Sequence, residues 1–386
     1  MNDVESEVFT LDDARQVSDF FTDTPWMTYL GFWSVNRDRD DGTRGAGPSG
    51  SGIAQTPYAF SKAVRSVREG HRPQPAPTKP KPATTPKPAT TPKPATKPAT
   101  TPKPVAAKTQ VVFAPYLECW ATTWNGKSVD KVPCKNFTFA FCVADGKGAP
   151  AWDGTMPVDR FAKEAKAIRA GGGTFRISFG GASGTELATA NKSVDALVKA
   201  YEKVVDAYDA TWLDFDIEGS AVGDTATCSR RHQAIARLQK ANPGLKVDFT
   251  VAVMPDGITR DVLAMLAAAN KAGVHVTTVN LMVMDYSESL SGDMAGYAIQ
   301  AARAAKGQLA KIGLDSTIGL TPMIGRNDIV TEIFTLDDAR VLAAWAKNTS
   351  WVTLLSMWAV GRDNKKDTGQ SIKAFDFTKA LAAVEK

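Results

Sequence analysis

The chain has 386 residues, of which 43% are hydrophobic and 23% charged, and this composition excludes a collagenous or wholly disordered protein. The net charge is +5, but residues 73–108 alone contribute +7 through seven lysines and no acid, which leaves −2 for the remainder. The basic character therefore belongs to one segment, and nothing else in the chain favours a nucleic-acid partner.

Membrane and metal partners are not expected either. No stretch approaches the roughly 18 apolar residues of a membrane helix, and the opening MNDVESEVFTLDD lacks the pattern of a signal peptide. The four cysteines and three histidines are too scattered for a metal site, so we expect no metal and no cofactor. Cys119 and Cys134 flank a loop, and they form either a disulfide or two buried thiols.

Residues 1–72 repeat the end of the chain. EVFTLDDAR from Glu7 matches EIFTLDDAR from Glu332, an offset of 325 residues, and AFSKAV from Ala59 echoes DFTKAL from Asp376. The same offset of 325 pairs Trp26 with Trp351, Trp33 with Trp358, and Arg37-Asp38 with Arg362-Asp363. This segment is therefore interpreted as an orphan C-terminal fragment of a second domain. Either the chain starts inside a tandem of two domains, or the copy is a degenerate appendage. In both cases we expect residues 1–72 to contribute no catalytic activity, because they contain no DFDIE.

Residues 73–108 are predicted to be a disordered linker. Twelve of the 22 prolines fall here, in repeats such as KPATTPKPATTPKP that contain no large apolar residue. Such a segment cannot bury a core and is typical of an extended, semi-rigid spacer. Thr/Pro spacers are commonest outside the cell, so we expect the full-length protein to be secreted.

Residues 109–386 alternate eight short apolar runs with amphipathic helical stretches. This alternation predicts an α/β fold with a parallel sheet, and eight such units fit a closed (β/α)8 TIM barrel of about 250 residues. A doubly wound open sheet is the weaker alternative, since no glycine fingerprint follows the first strand. The predicted strands are VVFAPYLE from Val111, FTFAFCVA from Phe137, TFRISFGG from Thr174, WLDFDIEG from Trp212, LKVDFTVAVM from Leu245, TTVNLMVMD from Thr277, TIGLTPMIG from Thr317 and VTLLSMWAV from Val352.

The fourth predicted strand carries three acids at alternate positions, Asp214, Asp216 and Glu218. Side chains alternate across a strand, so the three carboxylates share one face, and the apolar residues between them must face the helices. The acids therefore point into the barrel at the end where active sites form. Their mutual repulsion predicts that at least one is protonated near neutral pH. Glu218 is outermost and is the candidate general acid, with Asp216 as its partner. The alternative is a structural strand whose acids bond neighbouring backbone or basic residues.

At this strand the sequence resembles the family-18 glycoside hydrolases, the chitinase family, and especially its bacterial and archaeal members with DFDIE. TWLDFDIE from Thr211 matches their DxxDxDxE except at the first position, and Ser178-Phe179-Gly180-Gly181 matches their SxGG. The resemblance implies retaining, substrate-assisted hydrolysis of chitin or chitooligosaccharides. Glu218 would be the acid and base, Asp216 would stabilise an oxazolinium formed by the sugar's own acetamido group, and Asp214 would lie below.

The resemblance also implies further site residues. NLMVMDY from Asn280 departs from the family's NxMxYD, because Met284 stands at the tyrosine position, and Tyr286 is the candidate replacement hydroxyl. Trp358 matches the tryptophan beneath the reacting sugar. The proposed substrate-binding residues are Asp285, Asp328, Trp358, Ser178, Gly180, Gly181, Trp120 and Trp124.

Three functions remain open at this point. The leading one is a chitinase, for which endo-type cleavage is favoured because residues 324–336 form only a short connection where some members insert an α+β domain after the seventh strand. The second is an endo-β-N-acetylglucosaminidase acting on N-glycans or peptidoglycan, and the third is a non-catalytic chitin-binding lectin. A monomer is expected in each case.

Overall fold

A computed structural model of the chain describes residues 9–22, 37–40, 51, 53–68 and 110–385. The predicted linker 73–108 lies outside the described residues, as do Trp26 and Trp33 of the repeat. The chain divides into two compact units, Met1–Thr100 and Thr101–Lys386.

The described part of the first unit contains two helices, α1 (Leu11–Thr22) and α2 (Ala59–Arg68). Thr10 and Asp13 cap α1 reciprocally, because the Asp13 backbone N–H donates to the Thr10 hydroxyl and the Thr10 backbone N–H donates to the Asp13 carboxylate. The carboxylate of Asp38 accepts hydrogen bonds from the backbone N–H groups of Phe60 and Ser61 at the start of α2. Local side-chain hydrogen bonds thus define where both helices begin.

The second unit is a closed barrel of eight parallel strands, which confirms the predicted fold class. Every predicted strand lies where the apolar runs placed it. The first strand is divided into β1 (Val112–Phe113) and β2 (Tyr116–Glu118), and the others are β3 (Phe137–Ala144), β5 (Phe175–Gly180), β6 (Trp212–Asp216), β7 (Lys246–Ala252), β8 (Val276–Met282), β9 (Thr317–Thr321) and β12 (Val352–Leu355), with β4 (Pro150–Trp152) added antiparallel to β3.

The barrel closes through the divided first strand. β1 pairs with the last strand, β12, whereas β2 pairs with the next strand, β3. Pro115 lies between the two halves and has no N–H to donate, although its carbonyl accepts from Thr138 N at 2.9 Å. The Ala114 and Tyr116 N–H groups donate to the carbonyls of Leu355 and Met357. One segment therefore links both edges of the sheet.

Helices cover the outer face of the strands. Phe215 of β6 packs against Phe179 of β5 and against Tyr201 of α5 (Val194–Tyr208), with ring centroids 5.3 Å apart in both pairs. The residues between the acids of β6 thus face the helices, as the alternation predicts. The helices of this unit are α3 (Ala162–Ala170), α4 (Leu187–Ala190), α5 (Val194–Tyr208), α6 (Ser220–Gly223), α7 (Thr225–Ala241), α8 (Arg260–Lys271), α9 (Met294–Lys311), α10 (Leu336–Lys347), α11 (Lys365–Thr368) and α12 (Asp376–Leu381).

The connection between β9 and α10 holds only a small antiparallel ribbon, β10 (Gly325–Arg326) and β11 (Ile333–Phe334). The predicted lack of an inserted α+β domain at this position therefore agrees with the structure. Within the described residues, no helix combines the length and the apolar character that a membrane span requires.

Candidate active site

The three acids of the predicted row lie at the carboxyl end of β6, at increasing height. Asp214 is the deepest, and its carboxylate accepts three hydrogen bonds. The Ser178 hydroxyl donates at 2.6 Å, the Thr250 hydroxyl at 2.7 Å and the Tyr116 hydroxyl at 3.1 Å. Burial nonetheless raises the pKa of Asp214 to about 6, with these hydrogen bonds opposing the shift.

Asp216 and Glu218 lie above it, and their side chains interact with each other. Asp216 is buried, and burial raises its pKa well above the usual range, with the negative charges of Glu218 and Asp214 acting in the same direction. Burial also raises the pKa of Glu218, and the negative charge of Asp285 adds to this. Within the described residues, the Asp216 Oδ1 atom has no hydrogen-bond partner. The raised pKa values favour protonated forms within the row, as a general acid requires.

Two glycines bring β5 close to this row. A Cβ atom at Gly180 would lie 2.1 Å from the Asp216 carbonyl oxygen, and one at Gly181 would lie 2.6 Å from the Phe141 ring. Both glycines have positive φ, at 98° and 87°. The Gly181 N–H donates to the Asp216 carbonyl at 3.0 Å, so the SxGG segment shapes the backbone beside the acids.

Two cavities meet at Asp216 and Glu218, which line both. The first, here the methionine cavity, has a volume of about 320 Å³. Trp358 lines it and stacks on Phe141, with ring centroids 5.4 Å apart. Its thioether lining comes from Met254, Met282, Met284 and Met323. The second, here the glycine cavity, has a volume of about 400 Å³ and lies between the loops at residues 180–189 and 217–221.

Several predicted substrate-binding residues lie together. Asp285, Asp328 and Trp358 line the methionine cavity, and Gly180 and Gly181 line the glycine cavity. Asp285 has a positive φ of 49°, and its carboxylate accepts from the Ile329 N–H at 2.9 Å. Trp120 is 59% exposed, and its ring meets that of Trp358 edge-on at 6.4 Å.

Three predicted positions lie elsewhere. Trp124 is not an exposed platform, because it is buried and its indole N–H donates to Glu118 at 3.1 Å. Ser178 is fully buried and points at Asp214, so it supports the row without reaching a cavity. Tyr286 is buried beside Tyr297, outside the lining of the methionine cavity, whereas Met284 lies in that lining.

All four cysteines are free thiols, so the disulfide alternative for Cys119 and Cys134 is not observed. Across the described residues, no cluster of three or more His, Cys, Asp and Glu side chains could hold a metal ion.

Sequence reasoning missed Tyr116, Thr250, Phe141 and three of the four cavity methionines. Tyr116 is buried in the barrel and contacts both Phe141 and Trp358. Thr250 lies in register with Asp216 on the neighbouring strand. Tyr116, Phe141 and Thr250 lie on the first, second and fifth predicted strands, where no acid or motif marked them.

Comparison with known proteins identifies the family of the chain. A probable bifunctional chitinase/lysozyme of Escherichia coli (strain K12) is 30% identical over 297 residues, covering 70% of this chain and 33% of that protein. The catalytic domain of a hyperthermophilic chitinase from Pyrococcus furiosus is 30% identical with a TM-score of 0.65, covering 71% of this chain and 95% of that domain. The chain belongs to the family-18 chitinases.

The likeness of this family-18 chain extends to a fungal relative. Endochitinase 11 of Metarhizium anisopliae is 31% identical over 279 residues, covering 65% of this chain and 52% of that protein. The family-18 chain thus spans between a third and about half of the length of the curated relatives it matches. No protein-family model matches it.

Proposed function

We propose that the barrel is an endo-type chitinase that hydrolyses β-1,4 links between N-acetylglucosamine units with retention of configuration. The observation that carries this proposal is the interacting Asp216–Glu218 pair at the meeting point of two cavities, beside Trp358. Endochitinase is the printed name of one relative, and chitinase that of the Pyrococcus furiosus domain.

Glu218 is the proton donor to the glycosidic oxygen. It is the outermost acid of the row, it lines both cavities, and burial raises its pKa so that the protonated form is available. A scissile bond that bridges the two cavities would pass directly over this carboxyl. After the leaving group departs, the same carboxylate accepts a proton from the attacking water.

The nucleophile is the acetamido oxygen of the sugar itself, so no covalent glycosyl-enzyme is formed. Asp216 accepts a hydrogen bond from the acetamido N–H and stabilises the positive charge of the oxazolinium. Asp214 supplies negative charge beneath it and is held by Ser178, Thr250 and Tyr116. These fixed charges and dipoles favour the transition state without reorganisation.

The sugar ring would stack on Trp358, the apolar floor of the methionine cavity, while Asp285 and Asp328 bind its hydroxyl groups. Trp120 is exposed on the same side and would extend the binding surface to a further sugar. We also propose that residues 1–72 contribute no catalysis, because they lack the DFDIE row, and that the protein acts as a secreted monomer.

The test is mass spectrometry of products after incubation of the full chain with N-acetylchitohexaose. Release of short N-acetylglucosamine oligomers is expected, whereas cellohexaose, which lacks the acetamido group, should remain intact. Cleavage of glycoprotein N-glycans or peptidoglycan in place of the hexaose would favour the endo-β-N-acetylglucosaminidase alternative. Binding of the hexaose without any cleavage would favour the lectin.

A further inference from the structure

A buried ion pair lies beside the deepest acid of the carboxylate row. The Arg176 Nε atom of β5 donates to the Asp248 carboxylate of β7 at 2.9 Å, and both side chains are almost completely buried. Asp248 is the register partner of Asp214, and Arg176 lies two residues before Ser178, which bonds Asp214. The pair is therefore next to the deepest acid of the row.

This ion pair is held in place from several sides. The Arg176 guanidinium stacks on the Trp212 ring at 3.7 Å, and the Lys246 ammonium lies 4.2 Å from the same ring. Arg176 Nη1 and Asp248 Oδ1 are buried atoms without a hydrogen-bond partner among the described residues. A buried ion pair is often no more stabilising than a well-packed apolar pair, because the two charges lose their hydration. Because Asp248 is the register partner of Asp214, the pair is placed to influence the ionisation of the carboxylate row.

We propose that Arg176 and Asp248 are positioning residues of the catalytic row: Asp248, held by its ion pair with Arg176, places a negative charge beside Asp214, and the pair thereby controls the electrostatic environment of that acid. This inference rests on the proposed hydrolytic function. Neither residue lines either cavity, so neither is assigned contact with the substrate.

The surroundings of Asp214 fix the direction of the effect. The neighbouring strands present Ser178, Thr250 and Tyr116, which donate hydrogen bonds to the Asp214 carboxylate and favour its ionised form. Asp248 from β7 and Asp216 from the same strand are the negative charges that face it. The positive charges nearby are Arg176, which pairs with Asp248, and Lys246, whose ammonium lies against the same Trp212 ring as Arg176.

The experiment compares pH profiles of kcat/KM for the full chain and three variants. Asp248→Asn removes the negative charge beside Asp214 and leaves Arg176 positive, so Asp214 should keep its ionised form to lower pH. The acid limb of the profile, where activity falls as the pH is lowered, should therefore move down by about one pH unit. The double variant with Arg176→Met and Asp248→Asn removes both charges, and its limb should lie between those of Asp248→Asn and the parent. Arg237→Met, which removes an exposed ion pair with Asp195 between the outer helices α7 and α5, should leave the limb unmoved.

The outcomes separate the two proposals. A parent chain that does not cleave N-acetylchitohexaose overturns the proposed function. An active parent whose acid limb is the same in the double variant overturns the positioning role, even if Asp248→Asn alone does not fold. Loss of kcat/KM by an equal factor at every pH in the double variant would likewise overturn the positioning role, because it would show that the pair has only a structural effect.

Discussion

The N-terminal copy and the end of the barrel form the same local structure in different surroundings. The Thr335–Asp338 capping box of α10 recurs as Thr10 and Asp13. Asp363 accepts from the backbone of Phe377 and Thr378 as Asp38 does from Phe60 and Ser61. The ring pairs also match, with centroids 6.4 Å apart for Phe334 and Phe377 and 6.3 Å for Phe9 and Phe60.

The two regions differ in what covers them. In the barrel, Asp338 also accepts from the Ala295 N–H at the start of α9, and Leu342 is fully buried. Val17 occupies the place of Leu342 in the copy and is 39% exposed. Local sequence is thus enough to define helix starts and ring contacts, whereas burial and a catalytic row require the preceding strands of the barrel. Four predictions sharpen this comparison.

The largest expected effect is at Glu218. Glu218→Gln in the full chain should lower kcat for N-acetylchitohexaose by roughly three or more orders of magnitude while oligosaccharide binding persists, because the proton donor acts in the transition state. Steady-state kinetics and calorimetric binding would measure this, with Glu202→Gln on the outer helix α5 as the control. Substantial residual hydrolysis would mean that catalysis does not depend on this row or that the N-terminal copy contributes a second centre.

The second prediction concerns pH. The pKa of Asp214 is raised to about 6, so this acid loses its negative charge below that pH, and kcat/KM should fall by about tenfold per unit under pH 6. At higher pH the rate should fall again as Glu218 loses its proton, because its pKa is also raised. In the copy, hydrogen bonds from Thr10 lower the pKa of Asp13 instead. A pH profile that is flat between pH 4 and 8 would contradict the assigned roles.

The third prediction compares two matched aspartates. Asp363→Ala removes buried hydrogen bonds to the start of α12, and the free energy of barrel unfolding should fall by about 3 kcal/mol. Asp38→Ala removes the equivalent bonds in the copy and should leave barrel unfolding unchanged. Urea titrations read by the loss of hydrolytic activity would report the barrel alone. Equal destabilisation by both variants would show that the barrel depends on the copy.

The smallest effect is expected at the helix caps. Thr335→Ala removes the capping hydroxyl of α10 and should destabilise the barrel by about 1 kcal/mol. Thr10→Ala makes the same change in α1 and should have no effect on the urea midpoint of hydrolysis. A shift of that midpoint in Thr10→Ala would show that the stability of the barrel depends on the N-terminal unit.

The sequence was sufficient to predict the barrel strands and the row of acids. It was insufficient to predict where side chains at the rim of the barrel point. The run of apolar residues from Phe137 to Ala144 identified β3 to the residue, and alternation along β6 oriented its acids. Beyond the strand ends, alternation no longer applies. Trp124 and Tyr286 therefore turned inward although their positions suggested a sugar contact. Tyr116 was missed because a hydrogen bond to an acid on another strand depends on how the barrel closes.

The divided first strand also governs the order in which the barrel is completed. During synthesis β2 can pair with β3 as soon as residues near 144 emerge, but β1 must wait for β12 and residue 355. Until then the nascent sheet carries two open edges, at β1 and at the growing end, and open edges recruit foreign strands. The β1–β12 contacts that close the barrel are separated by more than 240 positions in sequence. The pairing of β1 with β12 should therefore be the slowest step of folding. The junction of β1 with β12 is therefore the part of the barrel most exposed to misassembly during synthesis.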